Sequence, residues 1–210
     1  MPPKPDRILL VEGREDREFV YQFCNYHSIN NRVLFDVEQK GEYESLRDDL
    51  MVRPLTGVKV IGAIVDADTD PHGRWHSLRS GLLDSGYTDF PNEPSEGGTI
   101  VLGTSGLPSI GIWLMPNNSI VGMLEDFLSC LIQEGDILLA RAISCVDGLP
   151  SEQRRFRNTY RSKALIHTWL AWQEEPGMSL GLAVTKRYLN ANHALAMQFL
   201  QWLLRLFPAA

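Results

Sequence analysis

An α/β fold built on an open, mainly parallel sheet flanked by helices is predicted by three observations. Val60-Ile61-Gly62-Ala63-Ile64-Val65 is an apolar, β-branched run that stops abruptly in Asp66, Asp68 and Asp70, as a strand covered on both faces does. Arg7-Ile8-Leu9-Leu10-Val11 has the same grammar and stops in Glu12-Gly13. Between them lie a helical period, a strand and a second helical period, the β-α-β-α-β order whose right-handed crossovers make strands parallel. Two such strands side by side project Glu12, Asp66 and Asp68 from one carboxyl edge, where open α/β sheets hold their ligands. Carboxylates crowded there repel unless a cation lies between them, and a hard divalent ion such as Mg²⁺ takes oxygen donors. Taken singly, each stretch reads first as a strand followed by turn-forming or helix-capping acids. The pair turns the reading toward a metal site.

Composition narrows the classes. A chain of 210 residues with 44% apolar content makes one domain, or a domain with an elaboration, and has a sizeable core. A net charge of -6 argues against a broadly basic nucleic-acid binder but leaves room for a local basic patch. Cys24, Cys130 and Cys145 are scattered, without a Cys-x-x-Cys pair. That pattern points to reduced thiols in the cytoplasm and away from structural zinc. The amino end has no apolar signal core and no stretch suits a bilayer span, so no membrane is expected. A cytoplasmic chain gives the sequon Asn117-Asn118-Ser119 no role. There is no internal repeat and no long low-complexity segment.

In chain order, Arg14 opens a helix with Phe19, Val20, Phe23 and Cys24 inward. Its acidic start suits the helix dipole. Arg14 is a candidate nucleic-acid contact, although a solvated helix face is the plainer account of it. Residues 31–37 read as the second strand. Gly41 opens a helix with Tyr43, Leu46, Leu50 and Met51 on one face, stopped by Pro54. Residues 71–85 form another, with Leu78, Leu82 and Leu83 inward. His72 and His76 stand four apart in it, but without a third soft ligand they do not make a zinc site. Residues 87–98 are a loop; 99–102 and 109–115 are strands joined by a turn. The next helix carries Glu125 and Asp126 near its first turn, where dipole complementarity explains both. Of the two, Glu125 is assigned to the metal site.

A helix over 136–145 is followed by a break and a long helix over 152–173, capped by Ser151. It carries Arg154, Arg155, Arg157, Arg161 and Lys163 against one acid, Glu152. The four arginines form a candidate phosphate-facing strip. Lys163 shares a face with His167, and a lysine beside carboxylates and a metal can stabilise charge on a phosphoryl oxygen. The plainer alternative is a snorkelling lysine. Residues 177–183 look irregular, 184–189 suit a short helix, and 193–207 an apolar one. The expected organisation is an α/β core over 1–120 and a helical extension over 121–210 packed on it as one compact unit.

Leu9-Leu10-Val11-Glu12-Gly13 and Val65-Asp66-Ala67-Asp68-Thr69-Asp70 resemble, in order and separation, the Toprim family. That family is the metal-binding domain of topoisomerases, primases and several nucleases. The resemblance covers residues 7–115. With residues 111–116, 122–127 and 163–171 added, the chain looks like a small Toprim-like family of unknown function. That family is similar to the nuclease half of the overcoming-lysogenization-defect (OLD) proteins, which pair an ATPase with a Toprim nuclease and include phage-defence systems. The resemblance implies a Toprim-like sheet, with Glu12, Asp66 and Asp68 as catalytic metal ligands and Lys163 as an auxiliary catalytic residue. Asp70 and Glu125 would assist at the metal. The implied ion is Mg²⁺, with Mn²⁺ as substitute. The implied activity is phosphodiester hydrolysis of nucleic acid, DNA favoured over RNA.

No Gly-x-x-x-x-Gly-Lys-[Ser/Thr] occurs, so an ATPase partner is a separate chain. A topoisomerase needs a further domain with a tyrosine nucleophile, and a primase needs a zinc module these cysteines cannot supply. A small RNA-maturation nuclease of the Toprim type stays open. Two rivals stand beside the nuclease. One is a non-catalytic or partner-activated regulatory subunit that docks an ATPase or toxin through its carboxy-terminal helices. The other is a phosphoryl- or nucleotidyl-transfer enzyme using the same carboxylates.

Overall fold

Strands β1 (Arg7–Val11), β2 (Asp36–Gln39), β3 (Val60–Asp66) and β5 (Ser109–Met115) run parallel, and β4 (Thr99–Val101) pairs antiparallel to β5. The strand order is β2-β1-β3-β5-β4. The structure is a computed structural model describing residues 6–52, 57–104 and 106–209. The expected helix stop at Pro54 and most of the amino-terminal segment lie outside those residues.

Helix α1 (Arg14–Tyr26) leads from β1 out to β2; α3 (Tyr43–Val52) returns across β1 to β3. The two crossovers leave on opposite faces. Leu9 and Val11 share a core cluster with Phe19, Val20 and Phe23 of α1, whereas Ile8 and Leu10 share one with Leu46 and Leu50 of α3. The chain therefore diverges at the β1–β3 boundary, which opens the crevice where α/β sheets bind ligands. The register sets Val11 beside Ile64, so Glu12 leaves the sheet level with Val65, one residue before Asp66.

Helix α4 (Pro71–Asp84) completes the α3 face with Trp75, Leu78 and Leu82. The other face is covered by later helices: α5 (Leu124–Cys130), α6 (Ile137–Asp147), α7 (Arg161–Leu170), α8 (Leu180–Thr185) and α9 (Ala194–Leu206). Phe199 of α9 is the aromatic centre. Its ring lies 5.7 Å from Phe19, 5.7 Å from Phe127 and 5.3 Å from Trp113. Residues from both ends of the chain thus share one apolar cluster, whose burial supplies the main favourable free energy. Among the described residues no helix is long and apolar enough to cross a membrane.

Three local expectations are corrected. Residues 31–37 are not one strand: α2 (Asn31–Leu34) is a single helical turn, and the strand begins at Asp36. Val33 is 74% exposed and so gives the first half of that run little to hold it extended, whereas Phe35 stacks on Phe207 at 4.4 Å. The long helix over 152–173 is also absent. Residues 151–157 are turns and extended chain, Asn158–Tyr160 is a single 3-10 turn, and α7 begins at Arg161. Its first half holds arginines but no apolar stripe to bury, and propensity alone does not sustain a helix in water. Finally, α8 (Leu180–Thr185) takes in residues 180–183 of the segment expected to be irregular and stops at Thr185, so the short helix expected over 184–189 lies earlier in the chain. Gly181 does not loosen it; a Cβ there would sit 2.9 Å from the backbone of Glu18, so the glycine lets α8 lie directly on α1.

Candidate metal centre

Glu12 leaves β1 and Asp66 ends β3, and the two are joined directly: the Asp66 amide donates to Glu12 Oε1 at 2.9 Å. Asp66 Oδ1 in turn accepts from the Leu124 amide at the start of α5 at 3.1 Å. This contact ties α5 to the sheet edge and brings in Glu125, which is only 2% exposed. Asp16, in the first turn of α1, folds back so that Oδ2 accepts from the Gly13 amide at 2.8 Å. Asp16 is 9% exposed.

The electrostatics show how closely these groups face one another. Burial, with repulsion from Asp16 and Asp68 added, pushes the Glu12 carboxyl up from 4.5 to about 7; the Asp66 amide and Arg74 pull the other way. Burial raises Asp66 well above the ordinary carboxyl range, and Asp16, Glu12, Glu125 and Asp68 raise it further. Asp16 is raised by burial and by Glu125. Lys163 is the ammonium of the group, 3.0 Å from Glu125 Oε1. Burial would lower its pKa, but attraction to Glu125, Glu15 and Asp66 carries it above the ordinary lysine value. Five carboxylates (Glu12, Asp16, Asp66, Asp68, Glu125) thus face two cations, Lys163 and Arg74. Buried charge of one sign without an equal counter-charge marks a functional site more often than a structural one.

Asp68 stands at the rim. Its backbone is in the left-handed region, φ 50°, held there by reciprocal hydrogen bonds with Gly122, each 2.8 Å. Gly122 has φ 140°, and a Cβ on it would fall 2.8 Å from Asp126 Oδ2, so this bridge needs glycine. An aspartate held in this region is strain of the kind found at binding sites. The Asp68 carboxylate pairs with Arg74, whose guanidinium lies 3.7 Å from the centre of the Tyr43 ring.

Of the predicted site residues, the fold brings Glu12, Asp66, Asp68, Glu125 and Lys163 together. Asp70 is the N-cap of α4, its Oδ1 accepting from the Gly73 amide at 2.8 Å. Asp126, the neighbour of Glu125, caps α5 by accepting from the Met123 amide at 2.9 Å. The arginine strip is not a helical strip. Arg161 is held by Asp147 through two hydrogen bonds of 2.7 Å, Arg154 lies 6.0 Å from the Phe156 ring, and Arg14, Arg155 and Arg157 are exposed.

Four residues escape the sequence reading. Asp16 and Arg74 are described above. The other two, Glu15 and His167, lie with Glu125 so that one ligand atom of each falls within 4.8 Å of the others; Glu15 Oε1 is 3.8 Å from His167 Nε2. The signal available for Asp16 was a second acid one helical turn after Glu12. Nothing local marks Arg74.

The donors fit a divalent cation. Carboxylate oxygens suit Mg²⁺ and Mn²⁺, and the imidazole of His167 favours Mn²⁺ over Mg²⁺ at the Glu15–Glu125 side.

Over residues 6–208 the sequence matches a family described as a protein of unknown function (DUF3226). Two solved structures of the C-terminal region of the OLD protein of Xanthomonas campestris pv. campestris are similar. The one phased with mercury has a TM-score of 0.42 at 16% identity, covering 96% of this chain and 85% of its own. The one phased with platinum has a TM-score of 0.45 at 15% identity, covering 97% and 92%. No curated protein sequence matches.

Proposed function

The chain belongs to the DUF3226 family, and from its carboxylate centre we propose that it is a divalent-metal-dependent nuclease hydrolysing phosphodiester bonds, DNA in preference to RNA. The observation that carries the reading is the floor of Glu12, Asp16 and Asp66, pushed up in pKa by burial and mutual repulsion beside the buried Glu125, and short of positive charge. The Toprim resemblance of the Glu12-Gly13 and Asp66-x-Asp68 signatures takes it from a cation site to phosphoryl chemistry. When bound, Mg²⁺ or Mn²⁺ lowers the pKa of water and neutralises charge on the phosphoryl oxygens.

The protein's own groups have separable tasks. Glu12, Asp66 and Asp68 hold the cation, with Glu125 and Asp16 as further donors. The Leu124 amide fixes the rotamer of Asp66, and the Asp66 amide that of Glu12. Lys163, 46% exposed in its side chain, swings between Glu125 and a phosphoryl oxygen and offsets negative charge there. Arg74, pre-positioned on Tyr43, takes a neighbouring phosphate when Asp68 is otherwise engaged. Asp70 acts as a helix cap.

The test is cleavage of supercoiled, linear and single-stranded DNA and of RNA in Mg²⁺ and Mn²⁺, with chelator and Asp66→Asn as controls. Cleavage needing both metal and Asp66 is expected; cleavage that survives Asp66→Asn or Glu12→Gln removes the mechanism.

One observation favours a second reading, a partner-activated subunit of an ATPase-linked system. The strip expected to grip nucleic acid is interrupted, with Arg161 committed to Asp147. In that case the chain binds metal but cleaves only when a separate ATPase is added.

A further inference from the structure

We infer that a cleft beside Asp68, centred on Tyr160, takes one unpaired nucleobase next to the scissile phosphate, so that the preferred substrate is a single strand or a frayed end. The inference rests on the nuclease reading and names its substrate class.

The cleft has a volume of about 470 Å³, and Asp68, Val121, Met123, Asn158, Thr159 and Tyr160 contribute to its lining. It therefore shares Asp68 with the metal centre, and its size is that of a small-ligand pocket, about 300–1,000 Å³. Its chemistry selects a neutral, planar guest. No lysine or arginine lines it, while the carboxylates of Asp68 and Asp126 do, which disfavours a phosphate inside. Both Asp126 oxygens are already used, by the Met123 amide and the Ser162 hydroxyl.

The walls supply what a base needs. Tyr160 is 47% exposed and Val121 57% exposed, two apolar surfaces left uncovered at the cleft. Among the described residues the side chains of Asn158, Thr159 and Tyr160 have no hydrogen-bond partner. An amide and two hydroxyls are thus free to meet the donor and acceptor edge of a base. The three sit on one 3-10 turn held by the Tyr160 amide donating to the Arg157 carbonyl at 2.8 Å, so they are presented by ordered backbone. Arg157 precedes this turn with its side chain exposed, at a position suited to the flanking phosphate. Aromatic stacking tolerates any base, and a base in the cleft has left the duplex stack, which penalises paired substrates.

The experiment uses the full chain in Ca²⁺ with short oligo(dT) carrying one 2-aminopurine, single-stranded or annealed as a blunt duplex, and follows 2-aminopurine quenching and affinity. Wild type is expected to quench the single strand. Tyr160→Ala is expected to weaken single-strand binding by about tenfold or more, with Tyr160→Phe within about twofold of wild type. Duplex affinity should be the same in wild type and Tyr160→Ala. Asn158→Ala, a second and milder variant, is expected to change the preference among bases. Absence of quenching, Tyr160→Ala binding the single strand like wild type, or equal losses on single strand and duplex would each overturn the inference. Failure of the nuclease reading is distinct: Tyr160-dependent quenching in a protein that cleaves nothing keeps the cleft and removes the nuclease. Cleavage indifferent to Tyr160 does the reverse.

Discussion

At the floor of the crevice, Asp16, Asp66 and Glu125 share the Lys163 ammonium, and Glu12 lies beside them with Arg74 as the cation that acts on it. At its rim, Asp68 and Asp70 each have a partner of their own, Arg74 and the Gly73 amide. Residue type is the same; burial differs. Asp68 is matched by one guanidinium and open to solvent on its own side, and Asp70 is held at the surface by a neutral amide, so neither opposes its own charge as the floor does; pairs open to solvent contribute about 0–1 kcal/mol. Glu12, Asp16 and Asp66 oppose their own ionisation, and the fold tolerates this because α1, α5 and the β1–β3 edge are held by an apolar cluster that does not depend on them. A site that is electrostatically costly when empty is one that a cation stabilises on entry.

The sharpest way to break this comparison is to neutralise the floor. Asp66→Asn keeps volume and removes charge. Hydrolysis should fall by on the order of a thousandfold, several kcal/mol of lost transition-state stabilisation. In chelator at pH 8 the same variant should melt higher than wild type, because one crowded charge is gone. A rim variant with an equal loss of hydrolysis, or an Asp66→Asn protein that melts lower, would erase the distinction.

The pH dependence has a definite sign. Glu12 at about 7 in the folded chain against an ordinary 4.5 means that the folded state binds the proton more tightly. Stability linked to it is full below about 4.5 and is lost as pH rises through about 7, roughly 3 kcal/mol for that group alone. Raised Asp66 and Asp16 act in the same direction. In chelator, melting temperature should therefore fall between pH 5 and 8. Mg²⁺ or Mn²⁺ should restore it at pH 8 and do little at pH 5, where protons occupy the ligands. A thermal melt series measures both.

Smaller effects follow. Lys163→Met is expected to lower turnover by about tenfold to a hundredfold and stability by about 1–2 kcal/mol, the loss for Glu125 being discounted because Lys163 is half exposed. Asp70→Ala should lower stability by about 1 kcal/mol through the lost α4 cap, with Mg²⁺ affinity within about twofold. A large loss of metal affinity in Asp70→Ala would move Asp70 from the rim to the ligand set.

How much of this was legible depended on whether the signal was local. β1 and β3 announce themselves as apolar runs ending in acids, and their adjacency follows from crossover handedness, so the meeting of Glu12 and Asp66 could be read from the chain. Residues 152–160 misled because arginines favour a helix locally while no apolar stripe was present to keep one; the length of α7 was set by Leu165, Ile166, Trp169 and Leu170. Asp16 was hidden by its own plausibility as an ordinary acid in a first helical turn. Arg74 and the meeting of Glu15 with His167 are products of tertiary packing between distant segments, for which the sequence has no periodic sign.

The most direct test of the central claim is calorimetric titration of Mn²⁺ and Mg²⁺ into wild type and Asp66→Asn near pH 6.5, in two buffers of different ionisation enthalpy. Saturable binding that releases protons, and that is lost in Asp66→Asn, is expected, because Glu12, at about 7, is partly protonated before the ion enters, and the upward shift of Asp66 acts in the same direction. Binding without proton release, binding unchanged in Asp66→Asn, or no binding at all would contradict the account.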